Sequence, residues 1–186
     1  MGSELKQKLD YSDYVSAPDD GNRYEILRGT LLVTPAPSPL HQRISRRLER
    51  WIEAYFHGPA GEMFHAPIDL ILASGDIVQP DIVVVADPAQ VSDRGIEGPP
   101  LIVVEILSPS TRERDLGLKA QRYAELGVPH YWTVDPEARR LDCHRLKDGR
   151  YRRAVCGQGR AVVEHPDWEG LVLDLAELWV EPEPAR

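Results

Sequence analysis

Two hydrophobic periods run through this chain, and each change from one to the other marks an element boundary. Leu101-Ile-Val-Val-Glu-Ile-Leu107 is short, β-branched and almost unbroken in apolar character, which predicts a buried strand; Asp81-Ile-Val-Val-Val85 predicts another. Between His41 and Phe56 the spacing changes: Ile44, Leu48, Trp51, Ile52 and Tyr55 recur every three or four residues, the apolar face of a helix that Gly58-Pro59 ends. A second helix is expected from Thr111 to Leu126, with Ser110 and Glu113 at the spacing of a capping box and Gly127 at its end. Met63 to Leu72 and Tyr131 to Asp135 read as further strands, the former followed by a Ser74-Gly75-Asp76 turn. Hairpins are predicted about Arg28-Gly29, joining Tyr24–Leu27 to Thr30–Val33, and about Asp148-Gly149, joining Leu141–Leu146 to Tyr151–Val155. The rest reads as a short helix from Leu5 to Val15, a turn from Pro18 to Asn22, loops at Pro35–Leu40 and Asp87–Pro100, a short apolar element from Leu171 to Val180, and a disordered end from Pro182 to Arg186. The loop Asp87–Pro100 is expected to carry little core and to be mobile.

From His41 to Asp135 the order is α-β-β-β-α-β. Strands close in sequence form a meander, and the helix from Thr111 crosses over to a parallel strand. The expected fold is therefore α+β, with a mixed central sheet, helices on its faces, and extra hairpins at both ends. At 186 residues the chain is expected to be one domain, 1–186, with its core at about 41–135, the first hairpin in 1–40 and the second hairpin and tail in 136–181. No apolar run approaches the length of a membrane span, and the first ten residues lack a signal-peptide core, so a cytoplasmic protein with no membrane partner is expected. Cys143 and Cys156 are too few for a disulfide framework or a thiolate zinc site, and both are expected to be reduced. His57, His65, His130, His144 and His165 show no zinc-ligand spacing along the chain. A net charge of −8 argues against non-specific affinity for nucleic acid, although Arg43, Arg46, Arg47 and Arg50 recur at spacings that allow a locally basic helical face.

Glu105 is the anomaly in this pattern. A carboxylate inside a buried strand needs a cation, a proton or a hydrogen-bonded partner, because an unpaired buried charge costs several kcal/mol. Asp81 begins the preceding strand, so antiparallel pairing would set it beside the end of the Glu105 strand and let both carboxylates converge on one divalent ion. Glu25 reads either as a polar residue on the outer face of the first hairpin or as a third acidic member of the site. His41 reads either as an ordinary first-turn residue or as a group that positions a water or phosphate. On a helical wheel Lys119 falls within the arc of Leu116, Ala120, Tyr123 and Leu126, which points it at the sheet; the competing reading is a surface lysine paired with Asp115. Trp51, Trp132, Trp168 and Trp179, set among apolar neighbours, read as core or interface residues.

The blocks Tyr24-Glu-Ile-Leu-Arg-Gly-Thr-Leu31, His41-Gln42, Pro80-Asp81, Glu105-Ile-Leu-Ser-Pro-Ser-Thr111, Asp115 to Lys119 and Gly127-Val-Pro-His-Tyr-Trp132 resemble those of the PD-(D/E)XK nuclease superfamily, and most nearly its Uma-type restriction-endonuclease-like family. The resemblance covers most of the chain. It implies a restriction-endonuclease-like αβββαβ core and magnesium-dependent hydrolysis of phosphodiester bonds by an endonuclease. Asp81 and Glu105, with the backbone carbonyl of Ile106, would hold Mg²⁺, for which Mn²⁺ could substitute. Lys119 would act beside them as the catalytic lysine, with His41 and Glu25 as further catalytic candidates, nucleic acid (DNA) as partner and a homodimer as the assembly. One departure matters. The superfamily places a lysine two residues after the glutamate, on the same face of the strand, and here that residue is Leu107. Two other function classes stay open: a non-catalytic nucleic-acid-binding or protein-interaction module on the nuclease fold, and a metal-dependent hydrolase of another phosphate ester.

Overall fold

The computed structural model describes residues 8–18 and 20–180. In chain order its elements are α1 (Tyr11–Val15), β1 (Arg23–Leu27), β2 (Thr30–Thr34), α2 (Pro39–Tyr55), β3 (Glu62–His65), β4 (Leu70–Ala73), β5 (Asp76–Val78), β6 (Ile82–Val85), β7 (Val91–Ser92), β8 (Gly95–Glu97), β9 (Ile102–Ile106), α3 (Arg112–Arg114), a π turn (Asp115–Lys119), α4 (Ala120–Glu125), β10 (His130–Asp135), β11 (Arg140–Lys147), β12 (Arg150–Gln158), β13 (Val162–Glu164), β14 (Val172–Asp174) and α5 (Leu175–Leu178). The two apolar runs that dominate the sequence, β6 and β9, are antiparallel neighbours inside a six-stranded sheet of order β12-β11-β10-β9-β6-β3. In this sheet β9 and β10 are the parallel pair, and the helix α3–α4 makes the crossover that such a pair requires. Within this sheet α2, β3, β6, β9, the α3–α4 helix and β10 form an αβββαβ unit, which the hairpin β11–β12 extends at one edge. A second sheet, β2-β1-β5-β4-β8-β7, holds the first hairpin.

Strand alternation divides the core in two. Val104, Ile106, Trp132 and Val134 face α2, whose Ile44, Leu48 and Ile52 are fully buried against them. Each such burial is worth roughly 1.5–3 kcal/mol. Val83, Val103 and Tyr131 face the other way, onto Tyr123 of α4 and onto Leu27, Leu70 and Ile96 of the second sheet. Glu105 has the parity of Val103, so its side chain enters this second layer.

Several boundaries differ from those the sequence predicts. The helix expected at His41 begins two residues earlier, because Ser38 caps it and Pro39 supplies a pre-set first-turn φ; the proline-rich loop is correspondingly shorter. The expected strand Met63–Leu72 is two strands in different sheets, broken at Ala66-Pro67, a cis peptide, where proline has no N–H to offer a ladder. The loop from Asp87 to Pro100 carries β7 and β8, and its Ile96 is fully buried. The capping box at Ser110 and Glu113 does not form: Thr111 occupies the N-cap without a side-chain bond, while the hydroxyls of Ser110 and Thr111 each lie 3.0 Å from that of Ser108. Residues 5–7 of the expected first helix and the expected disordered end at Pro182–Arg186 lie outside the described residues. Trp168 and Trp179 pack, partly buried, against the α2-side core. Cys143 is buried and Cys156 exposed, and both are free. Among the described residues no helix is long and apolar enough to cross a membrane.

The second sheet is closed by a backbone contact with no room for a side chain. Gly95 has φ +130°, and a Cβ on it would stand 2.3 Å from the Asp69 carbonyl oxygen, which also accepts the Ile96 N–H at 2.8 Å. Gly95→Ala is therefore expected to lower the unfolding free energy by about 2 kcal/mol. Urea unfolding followed by circular dichroism checks this, and an unchanged midpoint would contradict it.

Candidate active site

The register of β6 on β9, with Ile82 opposite Val104, puts Asp81 opposite Glu105 where the pair of strands opens. Asp81 Oδ2 accepts the Ile106 N–H at 2.7 Å and lies 3.2 Å from His41 Nε2. Arg23 Nη1 stands 3.7 Å from the other oxygen, Oδ1. His41 is aimed there by the start of α2, where its own N–H is held by the Ser38 hydroxyl at 3.2 Å. In a strand the N–H and C=O of one residue leave on the same edge. The Ile106 carbonyl therefore shares the edge that faces Asp81.

Lys119 reaches the same place from the helix. Its Nζ donates to Glu105 Oε1 and to Glu25 Oε1, each at 2.9 Å, and stands 3.8 Å from Asp115 Oδ1. The wheel placed Lys119 correctly but for the wrong reason. Asp115 to Lys119 is a π turn, and its wider winding lines up Asp115, Lys119 and Tyr123 on the buried side while Leu116 is 46% exposed. The Tyr123 hydroxyl completes the arrangement by donating to Glu105 Oε1 at 2.9 Å. Glu25 is fully buried, not on an outer face: it also accepts the Gln79 N–H at 2.8 Å, and Arg114 Nη2 lies 3.6 Å from its second oxygen.

Acidic groups outnumber the fixed cations in this cluster. Four carboxylates, Glu25, Asp81, Glu105 and Asp115, face Lys119, Arg114, Arg23 and a histidine. Burial pushes Glu105 up to about 8 against the pull of Lys119, with Asp115, Asp81 and Glu25 adding to the rise. For Asp81 burial is outweighed by the His41 contact, the Ile106 N–H and Arg23, and its carboxyl sits below the ordinary value. Burial opposes the charge on Lys119, yet Glu105, Glu25 and Asp115 together hold it above an ordinary lysine. Among the described residues, buried Asp81 Oδ1, Glu25 Oε2 and Asp115 Oδ1 have no hydrogen-bond partner. An oxygen donor set with more carboxyl groups than fixed cations fits a hard divalent cation.

The cluster opens into a cleft of about 290 Å³ lined by Arg23, His41, Asp81, Glu105, Arg114 and Lys119, with Leu107 at its wall. Sequence reasoning missed Arg23 and Arg114, which no motif marks, and it treated Asp115 as a surface partner although it is 2% exposed. Arg47, one of the four helix arginines, instead donates to the Leu178 carbonyl at 2.8 Å, which takes it out of any free basic face.

The family model described as "Putative restriction endonuclease", Uma2, matches residues 11–176. The chain belongs to the Uma2 family. A solved structure described as a "putative nuclease belonging to DUF820" from Anabaena variabilis ATCC 29413 superposes with a TM-score of 0.73 at 17% identity, over 92% of this chain and 97% of that one. That likeness shows a shared fold, and no curated protein matches the sequence. The Uma2 description supports a nuclease-like function, and this Uma2 chain brings a lysine to the glutamate from the helix while the strand carries Leu107.

The raised Glu105 value has a measurable consequence. Between the ordinary value of 4.5 and about 8 the folded protein keeps a proton that the unfolded chain has released, so this group's contribution to stability falls as pH rises through that window. In a chelating buffer Glu105→Gln is expected to match wild type near pH 4.5. It should exceed it by about 3 °C or more in Tm at pH 8.5, near the shift expected per kcal/mol at this size. A Tm difference that does not grow with pH would show that the carboxyl is ionised throughout.

Proposed function

We propose that this protein is a divalent-metal-dependent nuclease that hydrolyses phosphodiester bonds, with DNA as substrate and Mg²⁺ as its ion. The observation that carries the reading is the Lys119 ammonium bonded to Glu105 at the floor of a cleft that also holds Asp81. Asp81, Glu105 and the Ile106 carbonyl are the oxygens that would hold the ion. When bound, Mg²⁺ would polarise the scissile phosphate and lower the pKa of a water. The side chains do the rest. Lys119, kept charged by Glu25 and Asp115, orients the attacking water and offsets the negative charge that grows on the phosphorane-like transition state. Tyr123 and Lys119 both bond Oε1 of Glu105, which fixes the carboxylate's rotation. Arg23 and Arg114, which line the cleft, give the entering phosphate cationic contacts. His41 holds Asp81 in place.

The test is a cleavage screen against single- and double-stranded DNA and RNA with Mg²⁺ and Mn²⁺, using Glu105→Ala as the blank. Wild type is expected to cut DNA and the blank to be silent, and calorimetric Mn²⁺ binding is expected to vanish in Asp81→Ala and Glu105→Ala. Lys119→Met, with folding checked in Mg²⁺, is expected to reduce cleavage by about 10²-fold or more. Leu107→Lys added to Lys119→Met is expected to restore part of it, because residue 107 lines the same cleft. Metal binding without cleavage of any substrate would favour a binding module on a nuclease fold. A homodimer, which would offer one cleft to each strand of a duplex, is expected to sediment at twice 20.9 kDa; a monomer at micromolar concentration would reject it.

A further inference from the structure

A second cluster of titratable groups lies on the opposite face of the central sheet from Glu105. His130 opens β10 with the parity of Trp132 and Val134, so its ring enters the α2 side. The turn His165-Pro-Asp-Trp168, between β13 and β14, folds over it. That turn is held by its own backbone, with the His165 N–H on the Leu171 carbonyl at 3.0 Å and the Trp168 N–H on the His165 carbonyl at 3.3 Å. One ring nitrogen from each of His130 and His165 and one oxygen of Asp167 lie within 4.8 Å of one another.

Each of these residues leaves a buried polar atom without a hydrogen-bond partner among the described residues: His130 Nδ1, His165 Nε2 and Asp167 Oδ2. Both histidines are more than nine-tenths buried, at 8% and 4% exposure, so water is a poor substitute for the missing partners. Asp167 is steered by Arg145, which takes its Oδ1 and leaves Oδ2 facing His130 Nδ1 at 3.9 Å. Trp132 stacks on His165 at 5.2 Å, and the Trp168 ring lies 4.3 Å from His165 and 4.5 Å from His130. Three orphaned atoms of metal-ligating type converging inside an aromatic shell is an arrangement that a core satisfied by hydrogen bonds would not leave.

We infer that His130, His165 and Asp167 bind a transition-metal ion of the zinc class, which tethers the 165–168 turn to the start of β10. Two imidazoles and one carboxylate suit zinc rather than magnesium, and a tetrahedral ion keeps its fourth position for water. Bonds of about 2.0–2.1 Å draw the three ligands together and tighten the turn on the sheet. The rings are prepared for this: burial lowers both, His165 to about 4, so both are neutral at neutral pH and no proton is displaced from an imidazolium. One rearrangement is required. The Asp167 N–H donates to His165 Nδ1 at 3.2 Å, so the neutral ring carries its proton on Nε2. Ligation through Nε2 moves that proton to Nδ1 and gives up the weak turn bond.

The experiment titrates Zn²⁺ into the full chain carrying Asp81→Asn and Glu105→Gln, which removes the carboxylate pair of the cleft. One Zn²⁺ per chain is expected, with a rise in Tm, and at least tenfold weaker binding when His130→Gln or His165→Gln is added. Excess Mg²⁺ should not compete. Where a histidine variant fails to fold, the ring ¹⁵N resonances of wild-type protein decide: saturating Zn²⁺ should move the His165 proton from Nε2 to Nδ1. Absence of Zn²⁺ binding, undiminished binding in the histidine variants, or unmoved ring nitrogens at saturation would each overturn the site.

Discussion

One ammonium group holds the candidate active site together. Lys119 is 1% exposed, and burying its charge is tolerable only because Glu25 and Glu105 each accept one of its protons and Asp115 stands close by. The dependence is mutual. Glu25 comes from the second sheet, Glu105 from the central sheet and Lys119 from the crossover helix, so the same contacts that satisfy the lysine also lock three layers to one another. Removing the lysine from such a buried cluster typically costs about 3–5 kcal/mol, because the carboxylates left behind have no cation between them.

Charge balance then links structure to chemistry. A lysine alone cannot neutralise Glu25, Glu105 and Asp115, and Glu105 is the member that bears the strain, its carboxyl raised to about 8 while Asp81 is held low by His41, the Ile106 N–H and Arg23. Two neighbouring carboxylates with opposite tendencies make a site that is unfinished in its own charges. A divalent cation and a phosphate are the complementary pair that would finish it, the first against the carboxylates and the second against Lys119, Arg23 and Arg114.

The π turn explains how a lysine can serve a strand from fourteen residues away. On a regular helical wheel Leu116 falls within the buried arc. The wider winding buries Asp115, Lys119 and Tyr123 together, and it is at this stretch that Leu116 and Leu118 turn outward, at 46% and 40% exposure. With the ammonium supplied from the helix, residue 107 is free to be apolar, and Leu107 is 5% exposed at the wall of the cleft.

By itself the sequence determined the elements whose signal is local: the β-branched runs of β6 and β9, the apolar stripe of α2, the Asp148-Gly149 hairpin, and the lone carboxylate in a buried strand that marked Glu105. Its motifs also carried the family resemblance, and with it Asp81 and Lys119 as candidates. What only the tertiary structure decided were the matters set by non-local contact. Glu25 could be inside or outside, because hairpin alternation fixes a face but not what covers it, and the crossover helix covers it with Lys119 and Arg114. The 63–72 segment divides between two sheets because each half finds a different partner strand. Ser110 and Glu113 fit a cap by spacing, yet the hydroxyls of Ser108, Ser110 and Thr111 engage one another instead. Arg23, Arg114 and the His130–His165–Asp167 cluster carry no readable motif, since elements far apart in the chain bring them to their places. Local periodicity reports which way a side chain faces; the charges and ligands it meets there are fixed by sheet register and by the layers packed over it.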